Sequence, residues 1–170
     1  FYMRPRTDRV ELEKYHEGLI VASACLGGEI PKRITNDQFD EAEEAIQWYK
    51  RVFGDDFYLE LQLHKATVPR ANHEAYPMQL KVNKHLHEYA EKYGVKLICT
   101  NDCHFVDEEN AEAHDRLICL STNRDINDPN RMLYSKQEWF KTRAEMNAVF
   151  NDVPEALSNT CSICDQVEEY

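Results

Sequence analysis

A chain of 170 residues, 42% apolar and 11% aromatic, is long enough to bury a core as one domain without disulfide staples. Its net charge of −11 repels phosphate and excludes a broad nucleic-acid-binding face, so any such contact would be local, metal-assisted or made by another part of a larger protein. No run approaches the roughly 20 apolar residues of a membrane span, and no membrane partner is expected.

Helix and strand signals alternate along the chain. Residues 10–17 read as a helix, with Gly18 suited to the position after its end. Leu19-Ile20-Val21-Ala22 reads as a short buried strand, bounded by Gly27-Gly28. Asn36 or Asp37 can cap a helix whose apolar face is Phe39, Ala42, Ala45, Ile46, Tyr49 and Phe53, closed by Gly54. Phe57 to Leu63 is a second strand with Leu59, Leu61 and Leu63 on one face. His64 to Asn72 is a polar loop, and a long helix follows to Tyr93, with Pro77 near its start and Leu80, Leu86, Tyr89 and Ala90 in its stripe. Gly94 ends it, and Val95 to Cys99 is the third strand.

Asp107 can cap a helix running to about Leu120. Residues 121–137 read as an ordered loop with a turn at Asp128-Pro129, and Glu138-Trp139-Phe140-Lys141 as a short edge strand. Thr142-Arg143-Ala144-Glu145 has the form of a capping box. A last helix is expected from about Asp152-Val153-Pro154 towards Glu168. Three strands each followed by a helix predict an α/β fold with parallel pairing and right-handed crossovers. So few strands expose long edges unless something covers them, which points to part of a larger domain or to pairing of two copies as a homodimer.

Phe1-Tyr2-Met3-Arg4-Pro5-Arg6 lacks the apolar segment of a signal peptide, and the first residue is not Met, so residue 1 is not expected to be the natural start. Six cysteines, Cys25, Cys99, Cys103, Cys119, Cys161 and Cys164, follow no regular framework and read as reduced, mostly buried thiols of a cytoplasmic protein.

In parallel α/β folds reactive groups collect where strands run into the following loops. The first strand leads to Ser23-Ala24-Cys25, the second to His64 and the third to Thr100-Asn101-Asp102-Cys103-His104. Thiolate, imidazole and carboxylate together suit zinc or another divalent ion. Asp102 and His104 are the strongest pair, because alternate residues of an extended segment point to one side. Each has a plainer reading: Cys25 as a small buried apolar residue, His64 as a loop or capping residue, Asp102 with His104 as an Asx-turn beside a surface histidine. Cys161-x-x-Cys164 has redox spacing but lies in a helix without a second pair and reads as packing. His85 and His87 are two apart on a helix and face apart, and His16 and His114 read as exposed helix residues. No nucleophile elbow, P-loop or dinucleotide fingerprint is present.

Several segments, in order, resemble the PHP (polymerase and histidinol phosphatase) domain of the bacterial replicative DNA polymerase alpha subunits. They are Gly18 to Ile30, with Ser23-Ala24-Cys25-Leu26-Gly27-Gly28; Phe57-Tyr58-Leu59-Glu60-Leu61-Gln62; and Thr100-Asn101-Asp102-Cys103-His104-Phe105, continuing into Ala111-Glu112-Ala113-His114-Asp115. Asp128-Pro129-Asn130-Arg131-Met132 and Val153 to Thr160 follow.

The resemblance implies a distorted (β/α) barrel of seven strands with a metal centre at the strands' C-terminal ends. By position it implies Cys25, Asp102 and His104 as metal ligands, with His64 behind them as a supporting residue. The family's His-x-His motif and its other ligands do not occur here. The chain is therefore expected to be the C-terminal portion of a PHP domain, a partial barrel spanning 1–170 and ending near the start of a polymerase core.

For the parent protein the resemblance implies DNA-directed DNA synthesis within the replisome, with the PHP region supporting the polymerase and contributing to metal-dependent 3′-5′ exonuclease trimming. The piece itself is expected to be inactive. The alternative is a free-standing, metal-dependent PHP phosphoesterase of small substrates, disfavoured by the missing His-x-His and by the segments at 128–132 and 153–160.

Overall fold

Strands β1 (Val21–Ala22), β2 (Phe57–Leu61) and β3 (Lys96–Cys99) form one parallel sheet in the order β1-β2-β3 in the computed structural model, which describes residues 6–168. Val21 lies opposite Phe57, and Leu61 opposite Cys99. The helices are α1 (Arg9–Lys14), α2 (Glu29–Thr35), α3 (Phe39–Phe53), α4 (Ala75–Tyr93), α5 (Ala111–Thr122), α6 (Arg143–Val149) and α7 (Pro154–Gln166). The α/β class with parallel strands and flanking helices is as expected, and a small sheet of this kind is consistent with part of a barrel.

The core forms where β2 meets α2, α3 and α4. Phe57, Tyr58, Leu59 and Leu61 are all buried, so both faces of β2 are covered, as in a central parallel strand. Ala42, Ala45, Ile46 and Phe53 of α3 pack with Val82, Leu86 and Tyr89 of α4 against it. Each large apolar side chain so buried stabilises the fold by about 1.5–3 kcal/mol.

Several elements differ from expectation. The first strand shrinks to Val21–Ala22, because Leu19 and Ile20 are exposed and β1 has a strand neighbour on one side only. Helix α2 fills a segment for which no helix was expected. Pro31 sits in its first turn, where a missing N–H costs little, and Ile30 and Ile34 bury the same face. Neither Asn36 nor Asp37 caps α3: Asn36 ends α2, and the Asp37 carboxylate instead pairs with Lys81 at 2.6 Å. In α4, Leu80 points outward, and its neighbour Gln79 takes the buried position. Gly54 and Gly94 do end their helices, each with positive φ.

The edges are treated unequally. Helix α7 packs along β3, and Asn159 donates its side-chain amide to the carbonyl of Leu97 at 2.8 Å. The expected edge strand at 138–141 reduces to one parallel bridge, Phe105 with Trp139. The loop before it is ordered as expected. Asp128 accepts from the Asn130 amide in a turn, and Arg131 and Lys136 pair with Asp115 and Glu112 of α5. The capping box forms, with Glu145 accepting from the Thr142 amide at 2.7 Å and Thr142 Oγ1 accepting from the Glu145 amide.

Candidate functional site

All three strands end on the same side of the sheet, and their loops supply the candidate ligands. Ser23 extends β1, its amide donating to Tyr58 O and its hydroxyl accepting from the Glu60 amide. The chain then turns sharply, with Ala24 at positive φ and the Gly28 amide donating to Cys25 O at 2.8 Å. A methyl group on Gly28 would stand 2.2 Å from Ser23 O, so the turn that presents Cys25 needs glycine there. Cys25 is half-buried, and all six cysteines are free thiols. Cys161 and Cys164, expected to pack, are exposed on α7.

After β3, Asp102 also adopts positive φ, 44°, so this segment is not extended and the period-two argument for the Asp-x-His pair fails. A different contact joins the two residues. His104 Nδ1–H donates to the main-chain carbonyl of Asp102 at 2.6 Å, leaving Nε2 as the acceptor, which takes the Tyr134 hydroxyl at 3.0 Å. An imidazole held at Nδ1 by a carbonyl is in the tautomer that offers Nε2 to a metal. The Asp102 carboxylate, half-buried, makes no hydrogen bond or ion pair among the described residues.

His64 lies deeper, not in an exposed polar loop: it is 4% exposed. Its Nδ1 accepts from the Gln79 amide at 3.0 Å, its Nε2–H donates to Asn101 O at 3.2 Å, and its own amide donates to Gln79 Oε1 at 2.7 Å. Burial lowers its pKa, so it is held neutral with both ring nitrogens engaged. It can brace the β2 and β3 loops but has no lone pair free for an ion. Glu138, 3.9 Å away and equally buried, accepts from the Ser135 amide and hydroxyl and from the Gln137 amide.

Sequence reasoning missed three participants. Tyr134 receives the His104 ring against its own at 4.5 Å between centroids, and His114 packs beside both and Phe105. His114 is therefore no isolated surface residue; burial, then the neighbouring His104, lowers its pKa. The Tyr134 phenol is pushed up by burial and then by the negative charges of Asp102 and Glu138. Glu138, the third, was read only as part of an edge strand. No local signal marks Tyr134; the Ser135-x-x-Glu138 spacing of a capping motif could have flagged Glu138.

Thiolate, carboxylate and Nε2-presenting imidazole are chemically suited to zinc or a similar divalent ion, and buried Asn101 Oδ1, without a partner among the described residues, adds an uncommitted acceptor. The arrangement does not complete a site. Among the described residues no group of three His, Cys, Asp or Glu side chains is gathered to hold an ion, so no chemical step is assigned to a metal in this chain.

Comparison with known proteins gives the context. Residues 1–64 match the PHP domain family. DNA polymerase III subunit alpha of Borreliella burgdorferi is 43% identical over 171 residues, covering all of this chain and 14% of that protein. The subunit of Thermus aquaticus is 38% identical over 97% of the chain and 13% of its own length, and that of Campylobacter jejuni 34% identical over 97% and 14%. The chain thus spans about one seventh of the length of these relatives.

Proposed function

From a chain that belongs to the PHP-domain region of the DNA polymerase III alpha-subunit family, we propose a role as one segment of a replicative DNA polymerase subunit, built to support the polymerase rather than to act alone. The observation that carries this reading is the similarity from end to end with polymerase subunits, with no part of the chain left unmatched. It favours the polymerase over a free-standing phosphoesterase, since the similarity extends through the later segments as well as residues 1–64.

Within that role, Cys25, Asp102 and His104 supply part of a metal centre, zinc or another divalent ion, which residues beyond these 170 complete. His64 braces the loops that carry them, and Tyr134 holds His104 in its ligand-ready tautomer until the ion arrives. The completed centre would serve phosphodiester hydrolysis of a DNA 3′ end, whereas the isolated chain neither polymerises nor hydrolyses. DNA and the replisome are reached through the larger subunit, in the cytoplasm.

The test compares residues 1–170 with the whole polypeptide encoded by the same gene. The whole polypeptide is expected to extend a primer and to carry metal that His104→Ala reduces; the 170-residue chain should do neither. A 170-residue chain that binds a full metal complement and cleaves phosphodiesters would overturn the reading. So would a gene that encodes no polymerase core.

A further inference from the structure

Between Glu60 and Glu88 the sequence carries one carboxylate, Glu74, against four cations, Lys65, Arg70, Lys81 and Lys84. Residues 61–73 carry no Asp or Glu at all. In a chain of net charge −11 this is a local reversal of sign. Lys81 is neutralised by Asp37. Lys65 and Arg70, both in the loop between β2 and α4, are exposed and have no carboxylate within ion-pair distance among the described residues. Lys65 Nζ lies 5.8 Å from the centre of the Tyr76 ring, and Arg70 reaches only Asn127 Oδ1, at 3.4 Å.

The loop that carries them is held at both ends and braced within. At its start His64 is bonded to Gln79 and to Asn101 O. Ala71 is buried, and His73 Nε2–H donates to Val68 O at 3.0 Å. Asn72 Oδ1 accepts from the Glu74 and Ala75 amides where α4 begins. A ligand of such a loop has only the two long side chains to order, not the backbone.

The loop also leads to the candidate site. It leaves β2 on the side of the sheet where Cys25, Asp102 and His104 lie. The Asn72 amide donates to Tyr134 O at 2.8 Å, and the Tyr134 hydroxyl meets His104 Nε2. Carboxylates on α5 and the loop after it are largely spent: Asp115 on Arg131, Glu112 on Lys136 and Asp128 on Arg124. Asp125 accepts the Asn127 amide and has no cation beside it among the described residues.

We propose that the loop of residues 64–73 is a contact for the phosphate backbone of single-stranded DNA, with Lys65 and Arg70 as the groups that take its phosphates. The inference rests on the function proposed above, since a strand held there would run past Tyr134 with its 3′ end towards His104. The acidic remainder of the surface repels the strand and confines it to this loop.

The experiment titrates a fluorescein-labelled oligothymidylate of about ten nucleotides with the 170-residue chain in EDTA, following anisotropy at several NaCl concentrations. Saturable binding that weakens with salt is expected. Lys65→Gln and Arg70→Gln, at exposed positions and with the thermal unfolding midpoint unchanged, should each weaken it about three- to tenfold and lower the salt slope by about 0.7. Lys84→Gln removes the same charge from an exposed position further along α4 and should leave binding unchanged, while Asp125→Asn should strengthen it. No saturable binding, equal losses in Lys65→Gln, Arg70→Gln and Lys84→Gln, or tighter binding of a polyglutamate or RNA of equal length would overturn the proposal. Loop-dependent DNA binding in a chain whose whole polypeptide trims no 3′ end would support this contact while overturning the hydrolytic role proposed above.

Discussion

Arg131 grips the carboxylate of Asp115 through two hydrogen bonds, Nη1 to Oδ1 at 2.5 Å and Nη2 to Oδ2 at 2.7 Å, with both side chains almost wholly buried. Arg131 Nε also donates to Ile126 O, so this one residue fastens the loop after α5 to the helix itself. Removing one partner strands a buried charge, and Arg131→Met is expected to cost about 3–5 kcal/mol. Replacing both, Arg131→Met with Asp115→Leu, should recover much of that loss. Burial alone would raise the pKa of Asp115, but the Arg131 hydrogen bonds and charge outweigh it and hold it below its ordinary 3.8. The pair's stability is therefore full above about pH 4 and is lost as pH falls through the depressed folded value. Urea unfolding of the three proteins at neutral and acid pH measures both effects.

The buried His64 sets a second pH dependence of different origin. Its folded pKa lies below 6.5, chiefly through burial, so below pH 6.5 the unfolded chain takes up a proton that the folded chain resists. Stability should fall as pH drops from 6.5 towards the folded value and level off beneath it. In NMR spectra the His64 ring signals should titrate at lower pH than those of an exposed histidine such as His73. Gln79→Leu removes both the donor to Nδ1 and the acceptor of the His64 amide, and should cost about 1–3 kcal/mol for the groups left unpaired.

Gly28 offers a test of the turn that presents Cys25. A methyl group there meets Ser23 O at 2.2 Å, whereas one on Gly27 meets only Cys25 Sγ, at an ordinary 3.7 Å. Gly28→Ala should destabilise by about 1–3 kcal/mol, or displace the loop, and Gly27→Ala should change little. Thermal unfolding, with the rate at which a thiol reagent modifies Cys25, distinguishes the two. Equal behaviour of both variants would contradict the account.

What the sequence made legible was local. The Thr142-x-x-Glu145 box, the helix ends at Gly54 and Gly94, and the buried β2 each follow from chemistry within a few residues. The failures required knowledge of distant partners. Leu80 fits the apolar stripe of its helix, yet it is exposed and Gln79 takes the buried position, bonded to His64 fifteen residues earlier. Helix α2 was hidden by Gly27-Gly28, taken as a boundary, although Ile30 and Ile34 had the right spacing. The site was legible as residues and not as geometry. Asp102 and His104 were singled out on an extended backbone that the positive φ of Asp102 rules out, and Tyr134, thirty residues away, was invisible as their neighbour.

The last relationship concerns the edge of the sheet. Asn159 on α7 occupies the carbonyl of Leu97, which would otherwise face outward from β3 with no strand to meet it. Asn159→Leu removes that donor and should cost about 1 kcal/mol. Asn159→Asp sets a carboxylate against a carbonyl, so it should cost more at neutral pH and part of the loss should return in acid, where the introduced carboxyl is protonated and can donate. An uncovered parallel edge is also a template for another chain. Sedimentation velocity should therefore show concentration-dependent association in both variants beyond that of the parent. Association unchanged from the parent would show that α7 keeps β3 covered without the Asn159 hydrogen bond.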